Sequence, residues 1–177
     1  MEKEVIVLGG GCFWCTEAVF LMLKGIISAE PGYTGGHVNR PTYEQVSAGD
    51  SGHIEVVKIE YDPHKISFEE ILQVFFETHD PTTPNRQGAD VGPQYHSAVF
   101  YTTERQKEKA EHYIMLIAGR FTKPIVTTIA PLPTFWPAED YHKKYYEHHK
   151  TAGYCQVVIE PKLDKVQEKF KNLLNGS

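Results

Sequence analysis

Leu8-Gly9-Gly10-Gly11-Cys12-Phe13-Trp14-Cys15-Thr16-Glu17 is the stretch on which the fold turns. A short apolar run, Val5-Ile6-Val7-Leu8, precedes it and reads as a buried strand; Ala18, Val19, Leu21, Met22 and Leu23 follow at helical spacing. Cys12 therefore falls where a strand ends and a helix begins. Unpaired backbone N–H groups and the positive end of the helix dipole at such a point favour a thiolate, so a lowered cysteine pKa is expected. The three glycines free the backbone and leave space around the sulfur, while Phe13 and Trp14 offer an apolar wall beside a nucleophile. The alternative is a tight turn into a core helix with a buried, inert cysteine. A helix start with a second cysteine three residues on points toward chemistry instead.

Outward from this stretch, the pattern gives a strand over Glu4–Leu8, a helix over Cys12–Lys24 and an extended segment over Ile26–Tyr33, broken by Gly35-Gly36. Thr42 followed by Gln45 has the spacing of a capping box for a short helix. His53–Tyr61 alternates, is rich in β-branched residues and stops at Asp62-Pro63, which reads as a strand. Ser67 and Glu70 cap a strongly periodic helix over Phe68–Phe76. His79–Tyr95 reads as a long loop of the kind that carries function. A strand over Ser97–Tyr101, an amphipathic helix from Thr103 to Ala118 and a strand over Ile125–Ile129 come next. Three prolines then keep the chain irregular until a helix over Ala138–Tyr146, and a final helix runs from Leu163 to Leu174. The leading order, strand, helix, strand, strand, helix, strand, is that of a split βαβ or ferredoxin-like core, so the expected fold class is α+β, a two-layer α/β sandwich. In such a unit the start of the first helix lies at the sheet edge, which puts Cys12 near the surface.

The chain has 177 residues, enough for one domain with a core that needs no staples. It carries 23 Asp plus Glu against 18 Lys plus Arg and no basic block, which argues against nucleic acid or an anionic membrane as partner. The N-terminal apolar run is too short for a secretory signal or a membrane span, so a cytoplasmic, reducing compartment is the default expectation. Three cysteines there are redox or catalytic sooner than structural.

Cys12 and Cys15 form a Cys-x-x-Cys pair, which serves either thiol–disulfide exchange or half of a zinc site. Zinc would need two further ligands, for which Cys155 and one of His142, His148 or His149 are available, although no second paired motif exists. The aromatic residues inside the pair suit an apolar substrate better than a plain disulfide exchange centre.

Gly11-Cys12-Phe13-Trp14, Gly32-Tyr33-Thr34-Gly35-Gly36, Pro41-Thr42-Tyr43, Gly52-His53-Ile54-Glu55-Val56-Val57, Tyr61-Asp62-Pro63, His79-Asp80-Pro81 and Ala138-Glu139-Asp140-Tyr141-His142 together resemble peptide methionine sulfoxide reductases of the A type. The resemblance implies reduction of the S epimer of methionine sulfoxide, free or in proteins, with electrons from thioredoxin and without metal or flavin. It implies an α/β sandwich acting as a monomer, one catalytic domain over 1–177 with its core at about 4–130 and a C-terminal segment, 131–177, carrying Cys155. It makes Cys12 the nucleophile, Phe13 and Trp14 the pocket for the ε-methyl group, Glu55 the acid, Tyr43 and Tyr95 hydrogen-bonding groups and Asp90 an organising carboxylate. Cys155 matches the family's resolving cysteine. Cys15 departs from the common pattern, which has glycine there, and is a second candidate for that role. A sulfoxide oxygen leaves only when protonated, so an acid beside the thiolate is chemically required. By alternation alone, Glu55 reads as part of a solvated strand face.

Overall fold

The computed structural model describes residues 2–176. In chain order its elements are β1 (Glu4–Gly9), α1 (Phe13–Leu21), β2 (Ile26–Thr34), α2 (Tyr43–Ser47), β3 (Ile54–Tyr61), α3 (Phe68–Glu77), the two-residue strands β4 (Arg86–Gln87) and β5 (Asp90–Val91), β6 (Ala98–Tyr101), α4 (Glu104–Ile117), β7 (Thr128–Pro131), β8 (Trp136–Pro137), α5 (Tyr145–His148) and α6 (Glu160–Lys169). Six strands form one sheet in the order β7-β6-β1-β3-β2-β8, while β4 and β5 make a separate hairpin. Every neighbouring pair in the large sheet is antiparallel except β6 and β7. Helices and sheet pack in the α+β manner that the element order implies.

The register decides which side chains meet. Leu8 lies opposite Val57 and Ile6 opposite Ile59, and all four are fully buried on the face that carries α1 and α3. Phe20 of α1 and Ile71, Leu72 and Phe75 of α3 fill the same core. Burying each such side chain stabilises the fold by roughly 1.5–3 kcal/mol. The other face is smaller: Val7, Val56, Ala98 and Phe100 pack with Ala130 of β7 and with Leu132 and Phe135 from the irregular chain that follows it. Both expected capping boxes form, at Thr42 with Gln45 and at Ser67 with Glu70, each satisfying two backbone donors that a helix start leaves free.

Helix α1 is buried nearly all round, including the polar residues Thr16 and Glu17. The sheet covers one side and the C-terminal segment the other, since α5 and α6 both pack on α1. The chain end is tied to the same helix: Lys24 N–H donates to Leu173 O at 2.8 Å and Asn175 N–H to Met22 O at 2.9 Å.

Several local expectations change. The expected helix over Ala138–Tyr146 is broken into a single 3₁₀ turn, Asp140–His142, and the separate α5. Lys144 between them adopts a left-handed conformation at φ 52°, which no α-helix continues through. The strand expected at Ile125–Ile129 begins only at Thr128, because Val126 N–H is spent on Pro81 O outside the sheet. The long loop 79–95 contains the β4–β5 hairpin, and the last helix starts much earlier, through a π-turn at Cys155–Ile159 that runs into α6. Cys155 thus belongs to a helical segment that begins ahead of the expected start at Leu163.

Candidate active site

The end of β1 delivers Cys12 to the N-cap position of α1. Gly11 makes the turn possible: its φ is +95°, and a Cβ there would lie 2.7 Å from Cγ of Gln87, a conformation and a contact that only glycine tolerates. The glycines do not leave open space, since side chains at Gly9 and Gly10 would press on Ile54 and Phe75. They let the core close around the sulfur, and Cys12 is only 9% exposed, so the expected surface position is not found.

Glu55 stands opposite Tyr33 across β2 and β3 and is 1% exposed. It shares its strand face with Val57, Ile59 and Tyr61, so the solvated face expected from alternation is the buried one. Its Oε1 accepts the Phe13 N–H at 3.1 Å, satisfying a donor at the start of α1 that the N-cap side chain leaves unused. Its Oε2 is buried without a hydrogen-bond partner. Burial pushes the carboxyl up to about 8, with the Phe13 N–H opposing and the negative charge of Asp90 adding. At neutral pH Glu55 is therefore a neutral acid whose second oxygen makes no protein hydrogen bond.

Burial also raises the Cys12 thiol well above its ordinary value, reinforced by a hydrogen bond with Cys15 and by the negative field of Glu55. The Trp14 N–H at the helix start acts in the expected direction but is outweighed; a dipole of half a charge cannot match full desolvation of a thiolate. The favoured thiolate in the resting pair is Cys15, lowered to about 7 by the hydrogen bond from Cys12, with help from Lys162 and from the Tyr154 hydroxyl. The Cys15 Sγ lies 3.6 Å from that hydroxyl, which donates to Asp90 Oδ2 at 2.7 Å. All three cysteines are free, buried thiols, and Cys155 is close enough to Cys15 for the charge of one to raise the other, after burial. Cys15 thus interacts with both Cys12, by a hydrogen bond, and Cys155, through its charge.

Phe13 is fully buried among Tyr33, Tyr43 and His142, with ring centroids 5.6, 6.5 and 5.0 Å away. Trp14 is stacked on Tyr145 at 3.7 Å and meets Tyr154 edge-on at 5.7 Å. The hydroxyls of Tyr43 and Tyr95 are raised by burial and then by the charge of Glu55, which places both beside that carboxyl and close to Cys12. The expected site residues therefore gather around Glu55 and the Cys12–Cys15 pair, with Cys155 reaching the group on the side of Cys15.

Glu139, Glu17 and Tyr154 were assigned no role from the sequence, and His142 only that of a candidate zinc ligand. Glu139 accepts the Tyr43 N–H at 2.9 Å and the Tyr33 hydroxyl at 2.8 Å, fixing the start of α2. His142 accepts the Trp14 indole N–H on Nδ1 at 3.0 Å, and burial keeps the ring neutral. Its proton must then sit on Nε2, which is buried without a partner. Glu17 accepts the Lys144 N–H at 2.9 Å, holding α5 and its Tyr145 against Trp14, and burial raises it to about 7. Tyr154 links Cys15 to Asp90. Only the quoted Ala138–His142 motif marked any of this in the sequence, and no spacing rule connects position 142 with position 14. Among the described residues no group of three or more His, Cys, Asp or Glu could hold a metal ion, and no helix is long and apolar enough to cross a membrane.

A neutral carboxyl, a pair of coupled thiols and an apolar aromatic wall around them define a thiol-dependent oxidoreductase acting on a polar group attached to an apolar one. The family model described as peptide methionine sulfoxide reductase matches residues 4–174. A peptide methionine sulfoxide reductase MsrA of Sulfolobus acidocaldarius is 53% identical over 167 residues, 94% of this chain and 95% of that protein. The MsrA of Chromobacterium violaceum is 53% identical over 178 residues, 99% of this chain and 100% of that protein. Among solved structures, reduced Mxr1 from Saccharomyces cerevisiae superposes with a TM-score of 0.83 at 31% identity, covering 87% of this chain and 90% of its own. Methionine sulfoxide reductase A of Corynebacterium diphtheriae gives 0.77 at 33%, covering 85% and 76%. Mxr1 in complex with Trx2 shares the fold at 23% identity and a TM-score of 0.59, covering 81% of this chain and 85% of its own. The chain belongs to the peptide methionine sulfoxide reductase family, and it is an enzyme that reduces methionine sulfoxide.

Proposed function

We propose that the enzyme takes the S epimer of methionine sulfoxide, free or in proteins, and that Cys12 and Glu55 perform the oxygen transfer. The observation that carries this is the buried, unpartnered Oε2 of a carboxyl raised to about 8, on the residue whose other oxygen holds the Phe13 N–H next to Cys12. Phe13 and Trp14 receive the ε-methyl group, and Glu55 donates its proton to the sulfoxide oxygen with Tyr43 and Tyr95 as further hydrogen-bond donors. Asp90 organises this group through Tyr154. Cys12 hands its proton to the Cys15 thiolate as it attacks the sulfur, so the charge moves to the nucleophile when the substrate displaces the apolar surroundings. The oxygen and the Glu55 proton end on Cys12 as a sulfenic acid, and the sulfide leaves as methionine.

Cys15 is the nearer thiol and resolves the sulfenic acid: an S–S bond forms and the hydroxyl leaves as water with the Cys15 proton. Cys155 then attacks Cys15, freeing Cys12 and moving the disulfide to the C-terminal segment. A dithiol of the thioredoxin class returns two electrons and two protons, a reading supported by the complex that Mxr1 forms with Trx2. The test is dithiothreitol-driven reduction of each methionine sulfoxide epimer by the purified enzyme. Consumption of the S epimer alone is expected. Turnover of both epimers at equal rates, or of disulfides but neither epimer, would overturn the assignment.

A further inference from the structure

The acidic chain concentrates positive charge in one place. A cleft of about 830 Å³ is walled by Arg86, Arg120, Lys123, Lys162 and Lys165, contributed by the β4–β5 hairpin, the chain after α4 and α6. Two carboxylates, Glu77 and Asp80, stand against these five cations. Glu77 receives Arg120 at 3.7 Å, Lys165 at 3.7 Å and, from the next turn of α6, Lys169 at 3.0 Å. Asp80 Oδ1 accepts the backbone and hydroxyl of Thr82 at 2.9 and 2.6 Å. The cleft therefore presents a net positive field on a molecule with a formal charge of −5.

The cleft also borders the thiols. Thr78, His79 and Lys162 line it, and the same three residues line the small cavity that touches Cys15. Lys162 stands on the helical run that begins with the π-turn of Cys155, so the cations flank the segment on which the disulfide ends. From this juxtaposition we infer that the cleft is the docking surface for the acidic face of the dithiol protein that recycles the enzyme. The inference rests on the thioredoxin-class recycling proposed above. Arg86, Lys123 and Lys165 are exposed, long side chains from separate segments. Such a spread of charge steers and orients a broad acidic surface, whereas a small anion calls for a fixed fork of donors.

The test compares the parent with Arg86→Glu/Lys123→Glu, two exposed positions away from the reacting groups, in turnover driven by a thioredoxin of acidic isoelectric point or by dithiothreitol. Expected are a KM for thioredoxin raised about tenfold at low ionic strength with kcat retained, and a gap that narrows as salt is added. Dithiothreitol-driven rates stay at the parent level, which also shows that the variant folds. Arg86→Lys/Lys123→Arg keeps the parent KM. An unchanged thioredoxin KM in the charge-reversed enzyme would overturn the inference. So would a raised KM for an acidic methionine sulfoxide peptide under dithiothreitol, which would make the cleft a substrate surface, or an effect confined to glutathione-driven turnover. If the parent cycles with dithiothreitol and not with thioredoxin, the recycling reading itself fails and the inference goes with it.

Discussion

Glu55 and Cys155 are almost equally hidden from solvent, at 1% and 0% exposure, yet the chain holds them by opposite means. Glu55 sits in β3, between β1 and β2, where hydrogen-bonded register on both sides fixes its position. Cys155 sits in a π-turn at the junction between an irregular segment and α6, a local geometry that is seldom stable by itself and is found mostly at functional sites. The difference separates two tasks. Oxygen transfer needs an acid and a nucleophile kept in place, and the sheet supplies that. In the proposed cycle the disulfide passes outward through Cys155, whose π-turn lies outside the sheet.

The largest effect that bears on this division is on the sheet side. Glu55→Gln keeps the shape and the Phe13 N–H contact but has no proton to give, so single-turnover methionine release should slow by about a hundredfold or more. In the parent that step should fall about tenfold per pH unit above 8, the value to which burial raises Glu55. A flat profile in quench-flow measurements would break the assignment.

Next in size is the contrast between the two thiols beyond Cys12. Cys15→Ser should release about one methionine per enzyme, more slowly than the parent because the acceptor of the Cys12 proton is gone, and then lose thioredoxin-driven turnover at least tenfold, since the sulfenic acid has no neighbouring thiol. Cys155→Ser should still form the Cys12–Cys15 disulfide, seen by mass spectrometry of the alkylated protein, and slow only its reduction. If Cys155→Ser instead leaves Cys12 as a sulfenic acid, the C-terminal segment performs the first resolution and the division must be redrawn.

A smaller effect appears in stability. The folded-state pKa of Glu55 lies above its ordinary value near 4.5, so the native state holds this proton more tightly than the unfolded chain. Its contribution is fully present below about pH 4.5 and is lost as pH rises through about 8. Glu55→Gln should therefore melt at a higher temperature than the parent at pH 8.5, with the gap closing toward pH 4.5. A gap that widens on acidification would contradict the burial of a neutral carboxyl.

The same two regions differ in how far the sequence revealed them. Strands, capped helices and the Cys12 turn followed from local spacing, because caps at Thr42 and Ser67 and the glycine run act within a few residues. Glu55 was legible too, had its parity with Val57, Ile59 and Tyr61 been weighed above its polarity; an acid on the apolar side of a central strand is itself a signal. The C-terminal segment was not. Its helix at 138–146 is broken because Glu139 turns to the Tyr33 hydroxyl and the Tyr43 N–H and His142 to Trp14, partners about a hundred residues away that no window contains. The expected thiolate at Cys12 failed for a related reason. The helix dipole is local and visible, whereas the burial that outweighs it comes from the packing of the whole chain.

Tyr154 touches both regions and gives the finest test of how separate they are. Its hydroxyl lies between Asp90 on the hairpin, at 2.7 Å, and the Cys15 sulfur, at 3.6 Å, and the share of its one proton that turns to the sulfur lowers that thiol. Tyr154→Phe keeps the ring beside Trp14 and removes only the hydroxyl, so the apolar pocket survives. Cys15 should then titrate higher than about 7, and less of it is thiolate at neutral pH. Oxygen transfer in a single turnover should slow by no more than the fall in Cys15 thiolate, which takes the Cys12 proton, while closure of the Cys12–Cys15 disulfide slows severalfold at pH 7. The deficit should vanish above about pH 9, where Cys15 ionises without help. Rapid-quench alkylation, which separates sulfenic acid from disulfide, distinguishes the two steps. If both steps slow together and neither recovers with pH, Tyr154 acts by holding Asp90 in the oxygen-transfer site, and the two regions work as one.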